Sequence, residues 1–426
     1  MLCALHVALL AVSDPAARRN PTVTQIGNTR YVAVMGGETG AGELLDDLHL
    51  FDHERLLYLP PLEALAPRQD TRVQALEYAD DERSGRPPAR RHHAACSDGG
   101  TRLFVFGGFG LGTHTSLAAV AARGAATHPA RRLLNDLHVF DAATMRWSGE
   151  QSARAGRPAR RWGHSLTRVG ERCYLYGGSA SAADALARGS TAELLTDVHY
   201  FACGAATGAQ AAAAPFEWIA PAVVGAPPAP RSFFSAAAIG SKLFVFGGEK
   251  PSAGDGMACA RYNDLWALDT VTHAWSRVAD GGFGGGGGAG LDSLQPATRA
   301  HHTLLASGTV LLLTGGVDGL YHKTLDDAWT FETDAARPGA GAWAGLKDPV
   351  AHSRVATQLA TNRALEPRTP DGTTTRLEHG TAVDAAGTGR IFVFGGKVRG
   401  VLANSMDIYS GAAARMQWLY RHVSAA

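Results

Sequence analysis

The sequence predicts an all-β fold of six four-stranded sheets, and three recurring features lead to this prediction. A glycine pair ends an apolar segment six times in the 426 residues, at 36–37, 107–108, 177–178, 247–248, 315–316 and 395–396. A second segment of the kind NDLHVFD, at 135–141, follows each pair, and an aromatic residue follows that segment. The same order repeated along the whole chain indicates one repeat architecture rather than several unrelated domains.

Each repeat supplies four short strands, called A to D in chain order. Strand A opens on a segment such as RWGH at 161–164, strand B is apolar and ends at the glycine pair, and strands C and D carry the D-L segment and the aromatic residue. Strand B is apolar at successive positions, as in LFVF at 103–106, so both of its faces must be covered. Radial stacking of small sheets in a β-propeller provides this cover. We therefore expect a propeller of six four-stranded blades.

Two sets of residues are expected to serve this architecture rather than a ligand. Glycine ends strand B where a Cβ would collide with the turn or with the next blade, and where φ is positive. The tryptophans of strand D are expected to pack between blades. The structural residues are Gly107, Gly108, Gly177, Gly178, Gly247, Gly248, Gly315, Gly316, Gly395, Gly396, Trp147, Trp218, Trp275, Trp343 and Trp418.

The glycine pair, the D-L strand and the spaced tryptophan together resemble kelch repeats. The resemblance covers about residues 20–423 and implies a kelch-type β-propeller, similar to the central domain of galactose oxidase. Two repeats depart from the pattern, because Tyr58 replaces the tryptophan in the first and Ser405 replaces the aspartate in the sixth. The expected domains are an N-terminal strand or extension at 1–19 and the propeller at 20–426. Seven blades is the alternative if the N-terminal strand belongs to a truncated blade.

Composition argues against several classes of partner. A net charge of +1 and 19% charged residues give no bulk signal for nucleic acid, and no segment reaches the length of a membrane span. Five cysteines without C-x-x-C spacing favour a reducing compartment. The first twelve residues are apolar but lack a basic region, which disfavours secretion. We expect a monomeric propeller in the cytoplasm, with the nucleus as the alternative.

Catalytic and metal-binding motifs are missing from the sequence, so we expect no enzyme activity, no cofactor and no metal site. The Zn-protease, Walker A, G-x-S-x-G and C-x-x-C patterns do not occur. Plant kelch specifier proteins carry an iron-associated E-x-x-x-D-x-x-x-H pattern, which Glu193 and Asp197 approach, but Phe201 occupies the histidine position. A metalloenzyme of the galactose oxidase or specifier-protein kind is therefore kept only as an alternative.

Arginine recurs at the start of strand A, and two interpretations of this series stay open. Strand A is the innermost strand, so an open ring of guanidinium groups at the channel mouth would bind carboxylates of an acidic segment. The kelch resemblance implies the same use, since kelch receptors of ubiquitin ligases read acidic degrons with arginines on that face. Alternatively, each arginine pairs with an aspartate or a carbonyl group of the neighbouring blade. The series is Arg90, Arg161, Arg231, Arg299 and Arg376.

Long connections indicate where a partner would bind. In an antiparallel blade the B-to-C and D-to-A connections lie on one face, and loops longer than about 12 to 15 residues are usually functional or disordered. The B-to-C loop at 109–133 carries three arginines and no acidic residue: Arg123, Arg131 and Arg132. We expect a non-catalytic scaffold or adaptor that presents this loop-rich face to a protein partner. A kelch module of a tRNA wybutosine-synthesis protein is a second alternative.

Overall fold

In the part of the chain that the computed structural model describes, the regular secondary structure consists of β-strands. The described residues are 14–59, 85–111, 131–151, 156–181, 193–204, 216–251, 259–280, 295–318, 324–325, 327–333, 341–345, 380–383, 390–395, 397–398, 401–402, 405–412 and 415–423.

In the described residues, thirty strands form antiparallel sheets in chain order. Sheet 1 contains β1 (Thr22–Gln25), β2 (Tyr31–Glu38), β3 (Leu44–Asp52) and β4 (Leu57–Tyr58). Sheet 2 contains β5 (Arg90–Arg91), β6 (Ala94–Ser97), β7 (Arg102–Leu111), β8 (Arg131–Asp141) and β9 (Arg146–Glu150). Sheet 3 contains β10 (Ser165–Val169), β11 (Arg172–Tyr176) and β12 (Val198–Ala202).

The second half of the chain repeats this plan with small added hairpins. Sheet 4 contains β13 (Ser235–Ile239), β14 (Lys242–Phe246), β17 (Leu265–Asp269) and β18 (Ala274–Ala279), with the hairpin β15 (Glu249–Pro251) and β16 (Cys259–Arg261). Sheet 5 contains β20 (Thr303–Ser307), β21 (Val310–Thr314), β23 (Ala328–Glu332) and β24 (Trp343–Gly345), with β19 (Arg299–Ala300) paired to β22 (Val317–Asp318). Sheet 6 contains β25 (Gly380–Val383), β26 (Arg390–Phe394), β29 (Ser405–Ala412) and β30 (Arg415–Val423), with the hairpin β27 (Lys397–Val398) and β28 (Val401–Leu402).

The number of complete blades differs from the prediction. Five of these sheets have four or more strands, whereas sheet 3 has three strands in the described residues. Its outer position is held only by an isolated bridge between Tyr200 and Ile219. The prediction of six four-stranded blades is therefore wrong, and the structure has five complete blades and one three-stranded sheet. The N-terminal strand behind the seven-blade alternative lies outside the described residues.

Alternate side chains of strand B pack in opposite directions, as the unbroken apolar pattern requires. In β7, Leu103 and Val105 join a core shared with sheet 1, and Phe104 and Phe106 join a core shared with sheet 3. Each of these four side chains is fully buried. The apolar cores therefore lie between neighbouring sheets, which is the packing of a propeller.

The innermost strands close the ring without sharing a sheet between the two ends of the chain. β1 packs against β6 on one side and against β25 on the other, and β10, β13 and β20 complete the circle. One hydrophobic core joins sheet 1 to sheet 6, with Phe51 and Tyr58 packed beside Phe392 and Phe394. Side-chain packing, rather than strand pairing, thus holds the first repeat against the last.

One face of the ring carries the glycine pairs, the start of strand A and the added hairpins of sheets 4 to 6; we call it the glycine-pair face. The B strands of sheets 1 and 2 shift register at their glycine pairs and continue beyond them. β7 and β8 extend furthest, to Leu111 and Arg131. Among the described residues, the strand extensions and the added hairpins therefore lie on the glycine-pair face.

Candidate functional site

The arginines at the start of strand A are buried and paired. Arg90 donates from Nη1 to Asp136 Oδ1 at 2.8 Å and from Nη2 to Asp136 Oδ2 at 2.6 Å, and its Nε donates to the carbonyl oxygen of Pro88. Nη1 also donates to the carbonyl oxygen of Gly107, the first residue of the glycine pair. The guanidinium group thus joins the start of strand A, the end of strand B and the start of strand C.

The same pairing recurs around the ring, always within one sheet. The pairs are Arg18–Asp47, Arg90–Asp136, Arg161–Asp197, Arg231–Asp264 and Arg299–Asp327. All five arginine side chains are 0% exposed. The prediction of an open cationic ring is therefore wrong for Arg90, Arg161, Arg231 and Arg299, and Arg376 lies outside the described residues. The alternative, pairing with aspartate, describes them, although the aspartate belongs to the same blade rather than to its neighbour.

A histidine or tryptophan two residues after each aspartate completes the pair. His138 Nε2 lies 2.9 Å from Asp136 Oδ2, and Trp266 Nε1 donates to Asp264 Oδ2 at 2.7 Å. Burial opposes ionisation of Asp136 and is the largest single influence on it, yet the charge and hydrogen bonds of Arg90, with the bond from His138, hold its pKa well below the usual range. The H or W of the D-L-H/W motif is thereby explained as a partner of the aspartate.

The glycine pairs lie beneath the next sheet. A Cβ on Gly107 would stand 3.0 Å from His164 Cε1, and one on Gly247 would stand 2.7 Å from His302 Cε1. Both glycines have positive φ, +63° and +64°. Gly396 lies outside the described residues. The other members of the predicted set also have positive φ: Gly108, Gly177, Gly178, Gly248, Gly315, Gly316 and Gly395.

The strand D tryptophans pack on aromatic rings of the preceding or the same sheet. Trp218 packs on Phe106 with centroids 5.0 Å apart, and Trp275 packs on Tyr176 at 4.9 Å. The remaining contacts are Trp147 on Phe140 at 5.4 Å and Trp343 on Phe246 at 5.0 Å. The side chain of Trp418, in β30, lies outside the described part.

Of the predicted basic loop at 109–133, only the two ends, 109–111 and 131–133, are described. Arg123 lies outside the described residues, and Arg131 and Arg132 open β8, where they pair with Leu111 and Gly110 of β7. Arg131 is 40% exposed and donates from Nη2 to the carbonyl oxygen of Gly42 at 2.6 Å. Arg131 and Arg132 therefore lie on a strand extension rather than in a free loop.

The third residue of each of the five described strand A segments lies at the propeller axis and has a left-handed backbone. Four of these residues carry side chains, which L-residues rarely place at positive φ: Asn20 (56°), His92 (53°), Phe233 (55°) and His301 (55°). Gly163 takes the same position in sheet 3 with φ of 61°. We call these five residues the axial ring.

Backbone hydrogen bonds connect the axial ring from sheet to sheet. The N–H of Gly163 donates to the carbonyl oxygen of His92 at 3.1 Å, Phe233 N–H donates to Gly163 at 2.9 Å, and His301 N–H donates to Phe233 at 3.0 Å. This chain of bonds needs each residue to turn its N–H to one neighbour and its C=O to the other. Strained backbone held in this way is typical of functional sites.

Aromatic side chains of the axial ring contact one another above this chain of bonds. Phe233 stacks on His301 with centroids 4.4 Å apart, and His92 meets Phe233 edge-on at 4.9 Å. Trp162, the residue before Gly163, packs on His92 at 5.1 Å. Gly163 leaves the space that the Phe233 ring fills, because a Cβ there would lie 2.9 Å from it.

A cavity of about 160 Å³ opens at the centre of the glycine-pair face. Its lining is made by the axial ring and by the fourth residues of the strand A segments: Asn20, Pro21, His92, His93, Gly163, His164, Phe233, Phe234, His301 and His302. Asn20 is 9% exposed, and its Nδ2 has no hydrogen-bond partner among the described residues. The cavity lining therefore combines aromatic rings with the polar residue Asn20, whose amide nitrogen is buried.

Two neighbouring histidines of the cavity, His92 and His93, have lowered pKa values. Burial lowers the pKa of His92 well below its usual value, and the charges of His301, Arg91 and Arg19 act in the same direction. Burial, with the charge of Arg90, lowers the pKa of His93 to about 3. In the described part of the chain, no group of three or more His, Cys, Asp or Glu side chains has the arrangement of a metal site. Asp197, which approaches the specifier-protein iron pattern, is engaged in the pair with Arg161.

Two cysteines join neighbouring sheets. Cys96 of β6 and Cys173 of β11 form a disulfide bond, and Cys203 is a free, buried cysteine in the same core.

Sequence reasoning missed two parts of the site. Arg18 belongs to the arginine series, although the residues up to 19 were assigned to an extension; its distance of 18 residues from Gly36 matches the 17 between Arg90 and Gly107. The axial ring was missed because its members share a backbone conformation rather than a residue type. Their shared position, two residues after the arginine, was the available signal.

Comparison with known proteins agrees with this geometry. The family model for the KLHDC2/KLHL20/DRC7 Kelch-repeats domain matches residues 8–178, 72–213 and 124–337. Among the described residues no helix is long and apolar enough to cross a membrane.

Curated relatives match over different lengths. Host cell factor 1 of Homo sapiens is 23% identical over 397 residues, which cover 77% of this chain and 17% of that protein. Host cell factor 2 of Homo sapiens is 27% identical over 239 residues, 54% of this chain and 24% of that protein. Rab9 effector protein with kelch motifs, of Mus musculus, is 35% identical over 111 residues, 26% of this chain and 25% of that protein. The matches thus span a quarter or less of these relatives, and the family model spans most of this chain, which belongs to the kelch-repeat family.

Proposed function

We propose that this chain is a non-catalytic interaction module that binds a segment of a protein partner at the centre of its glycine-pair face. The observation that carries the proposal is the axial ring, where four non-glycine residues hold a left-handed backbone around a cavity. Such strain costs roughly 1 to 3 kcal/mol per residue and persists where the surrounding structure enforces it. Here it keeps Phe233 and His301 stacked at the mouth of the cavity.

The cavity fits one side chain of a bound segment. Concave sites with aromatic walls and a few polar groups are the usual form of ligand pockets, and this lining has the rings of Phe233 and His301 beside the polar residue Asn20. The arginines of the five Arg–Asp pairs add no accessible charge, because their side chains are buried. Phe233, His92 and His301 are therefore the contact residues that we propose.

The family supports a binding role, and the buried pairs support a non-catalytic one. The relative called Rab9 effector protein with kelch motifs is, by its name, a protein that acts with Rab9. The aspartates that recur in strand C are salt-bridge partners of the buried arginines. Asp264 and Asp327, for example, have lowered pKa values because of these partners, which gives the two carboxylates a structural role. We propose a monomeric scaffold or adaptor whose partner is a protein.

The test is a selection of random linear peptides on the purified protein, followed by affinity measurements on Phe233→Gly. Glycine suits the φ of +55° at this position, as Gly163 shows in sheet 3, so the variant removes the ring and keeps the backbone. We expect the selected peptides to bind Phe233→Gly about tenfold more weakly or worse. Val271→Ser, at a residue 75% exposed on the outer turn of sheet 4, should bind like the parent. Equal binding to Phe233→Gly and the parent would overturn the proposal.

A further inference from the structure

Three arginines surround one buried carboxylate beside the cavity. Arg19 Nη2 lies 2.7 Å from Glu38 Oε2, Arg91 Nη1 lies 2.5 Å from the same oxygen, and Arg131 Nη1 lies 3.7 Å from Oε1. The Glu38 side chain is 3% exposed, whereas those of the arginines are 28%, 16% and 40% exposed. One internal carboxylate therefore holds three guanidinium groups that still reach solvent.

The backbone fixes these side chains in place. Arg19 and Glu38 exchange two backbone hydrogen bonds of 2.9 Å, and Arg91 and Arg131 lie on strands that pair with β7. The Arg91 guanidinium also lies 5.5 Å from the centroid of the Phe109 ring. A preorganised guanidinium loses little conformational entropy when it binds an oxyanion.

The cluster carries a net positive charge. Three arginines and one glutamate give these four side chains a formal charge of +2, and the Arg91 and Arg131 guanidinium groups each carry five donors in a planar fork. The next acidic residue along the chain, Glu43, is exposed on the β2–β3 connection.

The cluster adjoins the cavity of the proposed function. Arg19 directly precedes Asn20, and Arg91 directly precedes His92, both of which line the cavity. The charges of Arg91 and Arg19 both bear on the His92 imidazole. An anionic group on a segment that fills the cavity would therefore meet this cluster.

We propose that Arg19, Arg91 and Arg131 form a phosphoryl-binding subsite that reads a phosphorylated residue of the bound segment. A phosphomonoester carries close to two negative charges and three acceptor oxygens, which match the residual charge and the several donors of the cluster. A carboxylate has half that charge. That the phosphoryl group belongs to a bound peptide rests on the proposed function. That the three arginines bind a phosphoryl group does not depend on it.

The test compares phenyl phosphate with benzoate, two probes with the same ring, by isothermal calorimetry at constant ionic strength. We expect saturable binding of phenyl phosphate at pH 7.5, about tenfold tighter than that of benzoate. Binding should weaken towards pH 5.5, because the second phosphoryl pKa is about 6, while benzoate binding stays level. Burial holds the pKa of His92 well below its usual value, so this imidazole adds no opposing charge as the pH falls. Equal affinity for both probes, or none for phenyl phosphate, would overturn the subsite.

Variants assign the binding to the cluster. Arg131→Ala should weaken phenyl phosphate binding about fivefold or more, and Arg91→Lys, which keeps the charge but removes the fork, should weaken it as well. Arg157→Ala is the matched control, since Arg157 is 35% exposed and pairs with Glu150 on the outer strand of sheet 2. Unchanged binding in Arg131→Ala and Arg91→Lys would place the anion elsewhere and refute the assignment.

Inorganic phosphate separates the subsite from the proposed function. Phosphate binding that depends on Arg91 and Arg131, but gains nothing from a phenyl ring, would support the subsite and contradict the cavity as a side-chain pocket. Peptide binding that depends on Phe233, with no response to phosphate or to Arg131→Ala, would support the function and overturn the subsite.

Discussion

At the scale of single residues, the recurring arginine is a structural element of each sheet. Arg90 is fully buried and satisfies Pro88, Gly107 and Asp136 at once. A buried guanidinium without its carboxylate, or the reverse, leaves an uncompensated charge in a medium of low polarity. In the five described pairs each buried arginine therefore needs its aspartate, and each aspartate its arginine.

This account predicts a large loss of stability in Arg90→Met. We expect about 3 to 5 kcal/mol from the unpaired Asp136, and much of it should return in Arg90→Met with Asp136→Leu. The control Arg157→Met removes an exposed pair with Glu150 and should change stability by less than about 1 kcal/mol. Urea unfolding measures all three variants. A loss of less than about 1 kcal/mol in Arg90→Met would contradict a structural role for the pair.

At the scale of the strands, the glycine pair lets one sheet dock beneath the next. Gly108, Gly178 and Gly248 each donate a backbone N–H to the carbonyl oxygen of the arginine in the following sheet. The first glycine of four pairs, at 36, 107, 177 and 247, faces a histidine or phenylalanine ring of the next sheet, as Gly177 faces Phe234. The strand B terminus is therefore shaped by its neighbour as much as by its own turn.

Two glycines of sheet 4 separate conformational strain from this docking. Gly247 and Gly240 both have positive φ, but a Cβ on Gly247 would lie 2.7 Å from His302 Cε1, whereas one on Gly240 meets nothing within 4 Å. Gly240→Ala should cost about 1 kcal/mol from the left-handed backbone alone. Gly247→Ala should cost about 1 to 3 kcal/mol more through overpacking. Thermal unfolding compares them, and equal losses would show that docking does not constrain Gly247.

At the scale of the whole molecule, the sequence predicted the architecture well and the binding site poorly. The unbroken apolar LFVF of β7 required cover on both faces, and the structure supplies sheets 1 and 3. The short outer edge of sheet 3 was not foreseen, because Trp218 still fills the core there while only Ile219 bridges to Tyr200. Local pattern marks the packing residue but not the length of the strand.

The sequence alone does not decide whether the arginines are buried, because burial depends on which residues the fold brings into contact. The Arg and Asp of a pair lie 28 to 46 residues apart, and their distance follows only from the fold. The axial ring likewise arises from backbone geometry at the axis, where Asn20, His92, Gly163, Phe233 and His301 share no chemistry. Repeats therefore predict what is common to the sheets, and the site arises from what differs between them.

Two surfaces of the molecule compete as the partner-binding site, the axial ring and an apolar rim. The rim lies beside sheets 3 and 4, where Ile219, Val223, Val224 and Val271 are 39% to 75% exposed. The axial ring is less exposed but concave, strained and flanked by arginines.

Photo-crosslinking of a selected peptide, followed by mass spectrometry of the crosslinked residues, tests the central claim most directly. The account predicts crosslinks to the axial ring, at His92, Phe233 or His301, and their loss in competition with unlabelled peptide. Crosslinks confined to Val224 and Val271, with none at the axial ring, would contradict it.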